Sequence, residues 1–488
     1  MSMTLNFIRT IAILLPALLA GCVVGPDYRT PDLSVPPAWH AETNAGLKRA
    51  PLDTAQLAQW WQLLDDPLLS RLVQEAAANN LDLKLAGARL RESRARRGLS
   101  VSDQYPTLGA GAGAQRNRSS GEMGAGGGRV SNVFSAQFDA SWEPDLFGGK
   151  RRALEAASAT AEAAEENLRD VQVSLLAEVV LNYIDIRSSQ GQIDITRATI
   201  TSLTDTLQIT GWRVQAGLVS QLDLEQARLN LEQTRAQLPA LASSLEQSRN
   251  NLALLLGRDP GTLTELQSLG PIPTASAQVA IGVPAETLRQ RPDIRQAERQ
   301  LAAATAQVGQ AEADRYPSLS LSGTLGLQAS SLGNLLQPGA YLYTLAANTA
   351  VTIFDGGRLK QKVEIQNALQ EQALISYQSV VKSALRDVEN ALAAYAGEQN
   401  RRRSLQDAVQ AAKRAVDLAT SQYAAGLIDF QSVLDSQRSL LSLQNQLIQS
   451  EASVTSDLAR LYKALGGGWS HDAPIINPPK GNSPGEQS

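Results

Sequence analysis

The chain has 488 residues, a net charge of −4 and a pI near 5.5, which leaves no electrostatic case for nucleic-acid binding. Its one cysteine, Cys22, excludes an intramolecular disulfide, and its two histidines, His40 and His471, sit beside proline-rich ends, which argues against a metal or catalytic site built on histidine. Hydrophobic residues reach 43% but aromatic residues only 5%, a composition of long helices rather than of a compact enzyme core.

Arg9 precedes an apolar run from Ile11 to Ala20, too short to span a bilayer as a mature helix. The run ends in Leu19-Ala20-Gly21-Cys22, the pattern of a lipoprotein signal. Residues 1–21 are then a signal peptide, and the Cys22 thiol takes a diacylglycerol. The competing reading is an ordinary signal peptide with a chance cysteine. Val23 follows, not the aspartate that retains lipoproteins at the inner membrane, so the expected destination is the outer membrane.

Residues 22–65 look irregular, with Pro26, Pro31, Pro36, Pro37 and Pro51. Asp66-Pro67 opens a helix expected to run unbroken through Leu72, Leu83 and Leu90 to about Leu99, and Tyr105-Pro106 stops it. Two strands follow, at 107–117 and 134–143. In the second, Phe134, Ala136, Phe138, Ala140 and Trp142 alternate with polar residues. The glycines between 121 and 128 form a hairpin tip and not a phosphate cradle, because no Gly-Lys-Ser/Thr follows. A proline-free helical tract then reaches Ala216 and turns at Gly217. The return arm carries Leu224, Leu231, Leu238, Leu245 and Leu252, every seventh residue, as one helical seam.

The pattern then repeats. Residues 258–284 are rich in proline and glycine, and Arg291-Pro292-Asp293-Ile294 opens a helix that Tyr316-Pro317 stops. Strands are expected at 318–328 and 341–353, the second with Tyr341, Tyr343, Leu345, Ala347, Val351 and Ile353 on one face. A second proline-free tract turns at Gly426. An offset of 209 residues carries the five leucines onto Val433, Leu440, Leu447, Val454 and Leu461, all apolar. The chain thus divides into a first repeat, 66–257, with a β-hairpin at 107–143 and a helical tip near 217. A linker at 258–284 leads to a second repeat, 285–466, with a hairpin at 318–353 and a tip near 426. The flanking segments 22–65 and 467–488 belong level with the linker, around the middle of the long helices.

Each descending tract has the length of a helix of about 100 Å. The strands have the length and alternation of a membrane barrel wall, apolar outward and polar inward, although two soluble hairpins would alternate similarly. Four strands cannot close a barrel, so spanning strands require several copies: two leave little room inside, and three give twelve strands and a usable pore. No cluster of nucleophile, base and orienting group is visible, so an enzyme is not expected. A lipid-anchored coiled-coil scaffold without a pore is the competing class.

Several stretches resemble the NodT/OprM lipoprotein branch of the TolC-like outer-membrane efflux proteins. They are Leu19-Ala20-Gly21-Cys22, Val24-Gly25-Pro26-Asp27-Tyr28, Trp60-Trp61, Arg291-Pro292-Asp293-Ile294 and Tyr316-Pro317-Ser318-Leu319. Ile353-Phe354-Asp355-Gly356-Gly357-Arg358, Leu434-Asp435-Ser436-Gln437-Arg438 and the stretch from Tyr462 to Trp469 complete the set. The resemblance implies a mixed α and β membrane protein. Its homotrimer has a twelve-stranded barrel in the outer membrane and long helices forming a periplasmic tunnel. It further implies a periplasmic adaptor (membrane fusion protein) and an inner-membrane pump, commonly of the RND type, with no cofactor beyond the lipid on Cys22. The channel is a passive gated duct for drugs or other small molecules; metal efflux or type I secretion are the alternative systems. In such proteins helix ends close the periplasmic tip. Asp435 matches the acidic gate position, with Asp429 and Asp223 as neighbouring candidates. Relatives often carry Arg-Tyr before the second turn, where this chain has Gln422-Tyr423; Arg213 is the candidate substitute for the missing arginine.

Overall fold

The computed structural model describes residues 23–32, 35–40, 47–49, 53–122, 128–274, 279–281 and 283–470. The signal segment, Cys22, part of the 121–128 loop and the tail beyond residue 470, with His471, lie outside them. Strand β1 (Leu47–Arg49) and helix α1 (Thr54–Ala58) lead to α2 (Pro67–Asn79) and α3 (Leu81–Ser102). The hairpin of β2 (Thr107–Arg118) and β3 (Val130–Trp142) is followed by α4 (Gly149–Gln215), α5 (Gln221–Arg235) and α6 (Gln237–Leu255). Strand β4 (Val279–Ile281) and α7 (Pro284–Gln290) precede α8 (Pro292–Ala313). The second hairpin, β5 (Ser318–Ala329) and β6 (Tyr341–Ala350), leads to α9 (Arg358–Ala424) and α10 (Phe430–Ala464). These elements gather into two compact units, one of residues 23–32, 90–164 and 296–378 and one of the remaining described residues. Each unit draws on both repeats.

The first unit holds a four-stranded antiparallel sheet in the order β2-β3-β5-β6. Its register aligns Ala112, Ala136, Leu327 and Tyr341 across the strands, and Ala110, Phe138, Leu325 and Tyr343 on the next rung of the same face. The opposite face aligns Gly109, Asp139, Thr324 and Thr344. A pleat of period two thus builds one continuous apolar face and one polar face. The apolar face is exposed: Leu108, Phe138, Tyr343 and Leu345 are all more than half accessible. Strand β6 ends sooner than its alternation suggests. Ala350 pairs with Ser318, the first residue of β5, and Pro317 beyond it has no N–H to offer the ladder, so Val351 and Ile353 fall outside the sheet. No helix among the described residues is both long and apolar enough to cross a membrane.

The helices show two further departures. The helix expected from Pro67 to Leu99 breaks at Asn80. Its backbone N–H closes α2 on the Ala76 carbonyl at 2.9 Å, while its side-chain Oδ1 accepts from Leu83 N at 2.9 Å to start α3. The side-chain amide also donates to the Leu255 carbonyl at the end of α6, so one buried residue serves three helix ends. The return arm of the first repeat breaks at Ala236, because Pro239 has no N–H for the Arg235 carbonyl. Its seam survives the break: Leu231, Leu245 and Leu252 are buried and Leu224 and Leu238 half-buried. In the copy, Val433, Val454 and Leu461 are buried and Leu440 and Leu447 half-buried. Helices α4 and α9 are each unbroken over 67 residues.

In the second unit, the segment read as irregular contains β1, α1 and a 3-10 turn at Trp60–Leu64. Strand β1 pairs in parallel with β4 of the linker. Gln190 Nε2 and Arg187 Nη1, beyond the midpoint of α4, donate to the Leu266 and Ser268 carbonyls at 2.7 and 3.0 Å, which fastens the linker there. Trp60 stacks on Tyr462 at 5.3 Å, and Gly468 N donates to Leu57 O at 3.0 Å, so segments from both ends of the chain pack together.

Candidate functional site

The two glycine turns have one construction. At the end of α4, Gly217 has φ +70°; its N–H reaches Val214 O at 2.9 Å, and Leu218 N reaches Arg213 O at 2.9 Å. At the end of α9, Gly426 has φ +73°, with Gly426 N to Tyr423 O at 3.0 Å and Leu427 N to Gln422 O at 2.9 Å. This is the Schellman closure, which needs a left-handed residue at that position. A Cβ at either glycine would meet nothing within 4 Å, so backbone conformation alone selects glycine.

The acidic candidates divide by duty. Asp223 completes a capping box with Ser220: Asp223 N donates to Ser220 Oγ at 3.3 Å and Ser220 N to Asp223 Oδ2 at 3.1 Å. Asp429 caps α10 and accepts from the Ser432 hydroxyl at 2.6 Å and the Ser432 N–H at 2.9 Å. These two donors hold its carboxyl below the usual range, the hydroxyl contributing most. Asp435, nearly two turns further along α10, is exposed and caps nothing; it accepts from Gln431 Nε2 at 2.9 Å. Gln422 is exposed, and its carbonyl closes the turn.

Arg213 does not pair with a carboxylate among the described residues. Its guanidinium lies 4.5 Å from the centre of the Tyr423 ring, and Nη1 donates to the Tyr423 carbonyl at 3.3 Å. The first hairpin thus supplies the arginine and the second hairpin the aromatic ring. Tyr423 in turn leans on Phe430 at 5.2 Å. Phe430 anchors a buried cluster of Ala227, Ala419, Val433 and Leu434, with Leu207, Tyr423 and Ile428 packed against it, so α4, α5, α9 and α10 meet there. Burial pushes the Tyr423 hydroxyl above its ordinary value.

Three further contacts were not anticipated. Gln437 Nε2 donates to Thr206 Oγ1 at 3.3 Å, and Arg438 Nε donates to the buried Asn230 Oδ1 at 2.9 Å, so α10 also bonds α4 and α5. Asn230, Gln437 and Arg438 border a polar cavity of about 430 Å³. The third is Phe430 itself, whose signal was an isolated aromatic directly after the capping Asp429. Among the described residues, no group of three or more His, Cys, Asp or Glu side chains could hold a metal.

Cys22 lies outside the described residues, but the residues after it are held tightly. Arg152, 5% exposed at its side chain, donates to Val24 O at 3.2 Å, Gly25 O at 3.1 Å, Asp27 Oδ1 at 2.7 Å and Glu155 Oε2 at 2.8 Å. Val24 N donates to Phe147 O at 3.1 Å. Gly25, at φ +89°, lies so close to Gly309 that a Cβ would stand 2.3 Å from the Gly309 Cα.

The family model for outer membrane efflux proteins matches residues 72–258 and 283–467. The toluene efflux pump outer membrane protein TtgF of Pseudomonas putida is 31% identical over 466 residues, covering 94% of this chain and 96% of that one. The cation efflux system protein CusC of Escherichia coli is 31% identical over 459 residues, covering 92% and 96%. The structure of the outer-membrane channel OprN superimposes with a TM-score of 0.87 at 35% identity, over 92% of this chain and all of that one.

Proposed function

The chain belongs to the outer membrane efflux protein family, and from that premise we propose that it is the passive, gated outer-membrane duct of a tripartite export assembly. The observation that carries the reading is the sheet: an exposed apolar face backed by a polar one, with β2 and β6 as open edges. Open edges are not tolerated in lipid, and closing them between three copies gives twelve strands around a polar lumen. The lumen face then presents Gln137, Asp139 and Thr324, which are linked by side-chain hydrogen bonds. The helices extend into the periplasm, where an adaptor protein docks and links the duct to an inner-membrane pump of the RND type. The lipid on Cys22 adds a second hold on the outer membrane, and the Arg152 clamp keeps the following residues on the protein.

The gate lies at the glycine turns. Arg213 on Tyr423 latches the two hairpins of one chain, and adaptor docking releases the latch. Three copies of Asp435 form an acidic ring that repels itself when ionised and attracts cations. The cargo is a small molecule set by the pump. The relatives' own cargoes, toluene for TtgF and cations for CusC, show how widely it varies at similar identity. The test is the mass of the purified protein in detergent by light scattering. Three chains per particle are expected; a monomer or dimer would remove the twelve-stranded barrel.

A further inference from the structure

The apolar face of the sheet ends abruptly on strand β2. Its lipid-side residues run Leu108, Ala110, Ala112 and Ala114, and then Arg116 and Arg118. Arg116 pairs across the ladder with Asn132 and Arg118 with Val130, beyond the rung of Ala114 and Phe134. Both arginines are exposed, and neither side chain has a hydrogen bond or ion pair among the described residues. From Leu108 to Arg118 the strand advances about 33 Å, which at a barrel tilt of about 40° is about 25 Å of height. That matches the apolar band of an outer-membrane barrel, so Arg118 stands at its edge and Arg116 within about 5 Å of it, a distance its long side chain spans.

The aromatic residues share this face, with Tyr341 on the rung of Ala112 and Tyr343 on that of Ala110, four and six residues short of Arg116. Tyr341 and Tyr343, 6.1 Å apart and both exposed, sit at the start of β6 toward this end. Trp142 lies at the other end, next to the connection into α4. With the helices on the periplasmic side, the arginine end faces the outer leaflet.

Among the described residues no carboxylate forms an ion pair with either arginine. The hairpin from Ser318 to Ala350, whose β6 edge meets β2 of a neighbouring copy, contains no Asp or Glu. Asp139 projects from the opposite face and is bonded to Gln137 and Thr324. Residues 107–138 hold one acid, Glu122, in the turn. Two guanidinium forks about 7 Å apart on one strand face match phosphate oxygens in pairs.

Resting on the barrel reading above, we propose that Arg116 and Arg118 bind the phosphate groups of a phosphorylated lipid headgroup in the outer leaflet. The test reconstitutes the full-length trimer in phosphatidylcholine nanodiscs doped with lipid A carrying both phosphates, or with the same lipid after their removal, and counts retained lipid by native mass spectrometry. The wild type is expected to retain the phosphorylated lipid preferentially. R116Q/R118Q is expected to lose that preference on the order of tenfold, and R116K/R118K to keep part of it, since charge remains without the fork. Equal retention of the two lipids by an inserted wild-type trimer, or an unchanged preference in R116Q/R118Q, overturns the proposal alone. A wild type that neither trimerises nor inserts overturns the barrel reading and this site with it.

Discussion

Arg213 grips Tyr423 twice, with its guanidinium 4.5 Å from the ring centre and Nη1 3.3 Å from the backbone carbonyl, and thereby ties the last turn of one long helix to the last turn of the other. Removing either partner should loosen the closed tip. Exposed cation–π pairs contribute about 0.5–1 kcal/mol, so R213A and Y423A should each raise the conductance of the undocked channel. R213A/Y423A should leak little more than Y423A alone, because the interaction can be lost only once. Full additivity of the two effects in bilayer recordings would show that the pair is not a latch.

Asp435 makes a different prediction. It caps no helix and bonds only Gln431 among the described residues, so D435A should leave thermal stability nearly unchanged while weakening block of the closed channel by divalent cations. Asp429 should behave in the opposite way, because its carboxylate caps α10: D429A should lower the melting temperature. Unchanged block in D435A would remove that residue from the gate.

Acid should act on two aspartates with opposite signs. Asp429 is held below its ordinary range by Ser432, so its contribution is present above pH ~4 and is lost as pH falls through the depressed value. Asp457, on α10, is pushed up by burial, and its bond to the exposed Arg460 compensates only in part. Here the native state binds protons more readily than the unfolded chain, so this group adds stability as pH falls through its raised value toward ~4. D457N should therefore flatten the rise in melting temperature on mild acidification. A D457N profile parallel to that of the wild type would contradict this assignment.

The clamp behind Cys22 is open to hydrogen exchange. R152M should expose the Val24 and Gly25 carbonyls that Arg152 now satisfies, at a cost of about 1–3 kcal/mol. The Val24 amide, which donates to Phe147, should then exchange faster. Unchanged protection at Val24 would show that Arg152 does not hold the strap.

What could be read from residues alone followed the reach of each signal. The two 67-residue helices, the glycine turns and the apolar rows of the sheet are local signals, and they stand where the residues placed them except at the end of β6, where Val351 and Ile353 leave the ladder. The breaks at Asn80 and Ala236 were missed. The first depends on Asn80 meeting Leu255, far away in the chain, and the second on a proline three residues downstream that also fits the first turn of a new helix. The direction of Arg213 was likewise hidden, because charge suggests a carboxylate, whereas packing of the two hairpins brings an aromatic ring and a carbonyl to it. The capping duties of Asp223 and Asp429 were partly legible from their places at helix starts.

The most direct test of a gated duct is single-channel recording of the purified protein in planar bilayers. A conducting trimer is expected, with a small resting conductance that R213A raises. Absence of conductance from wild-type and R213A trimers alike would contradict the duct and leave a lipid-anchored scaffold in its place.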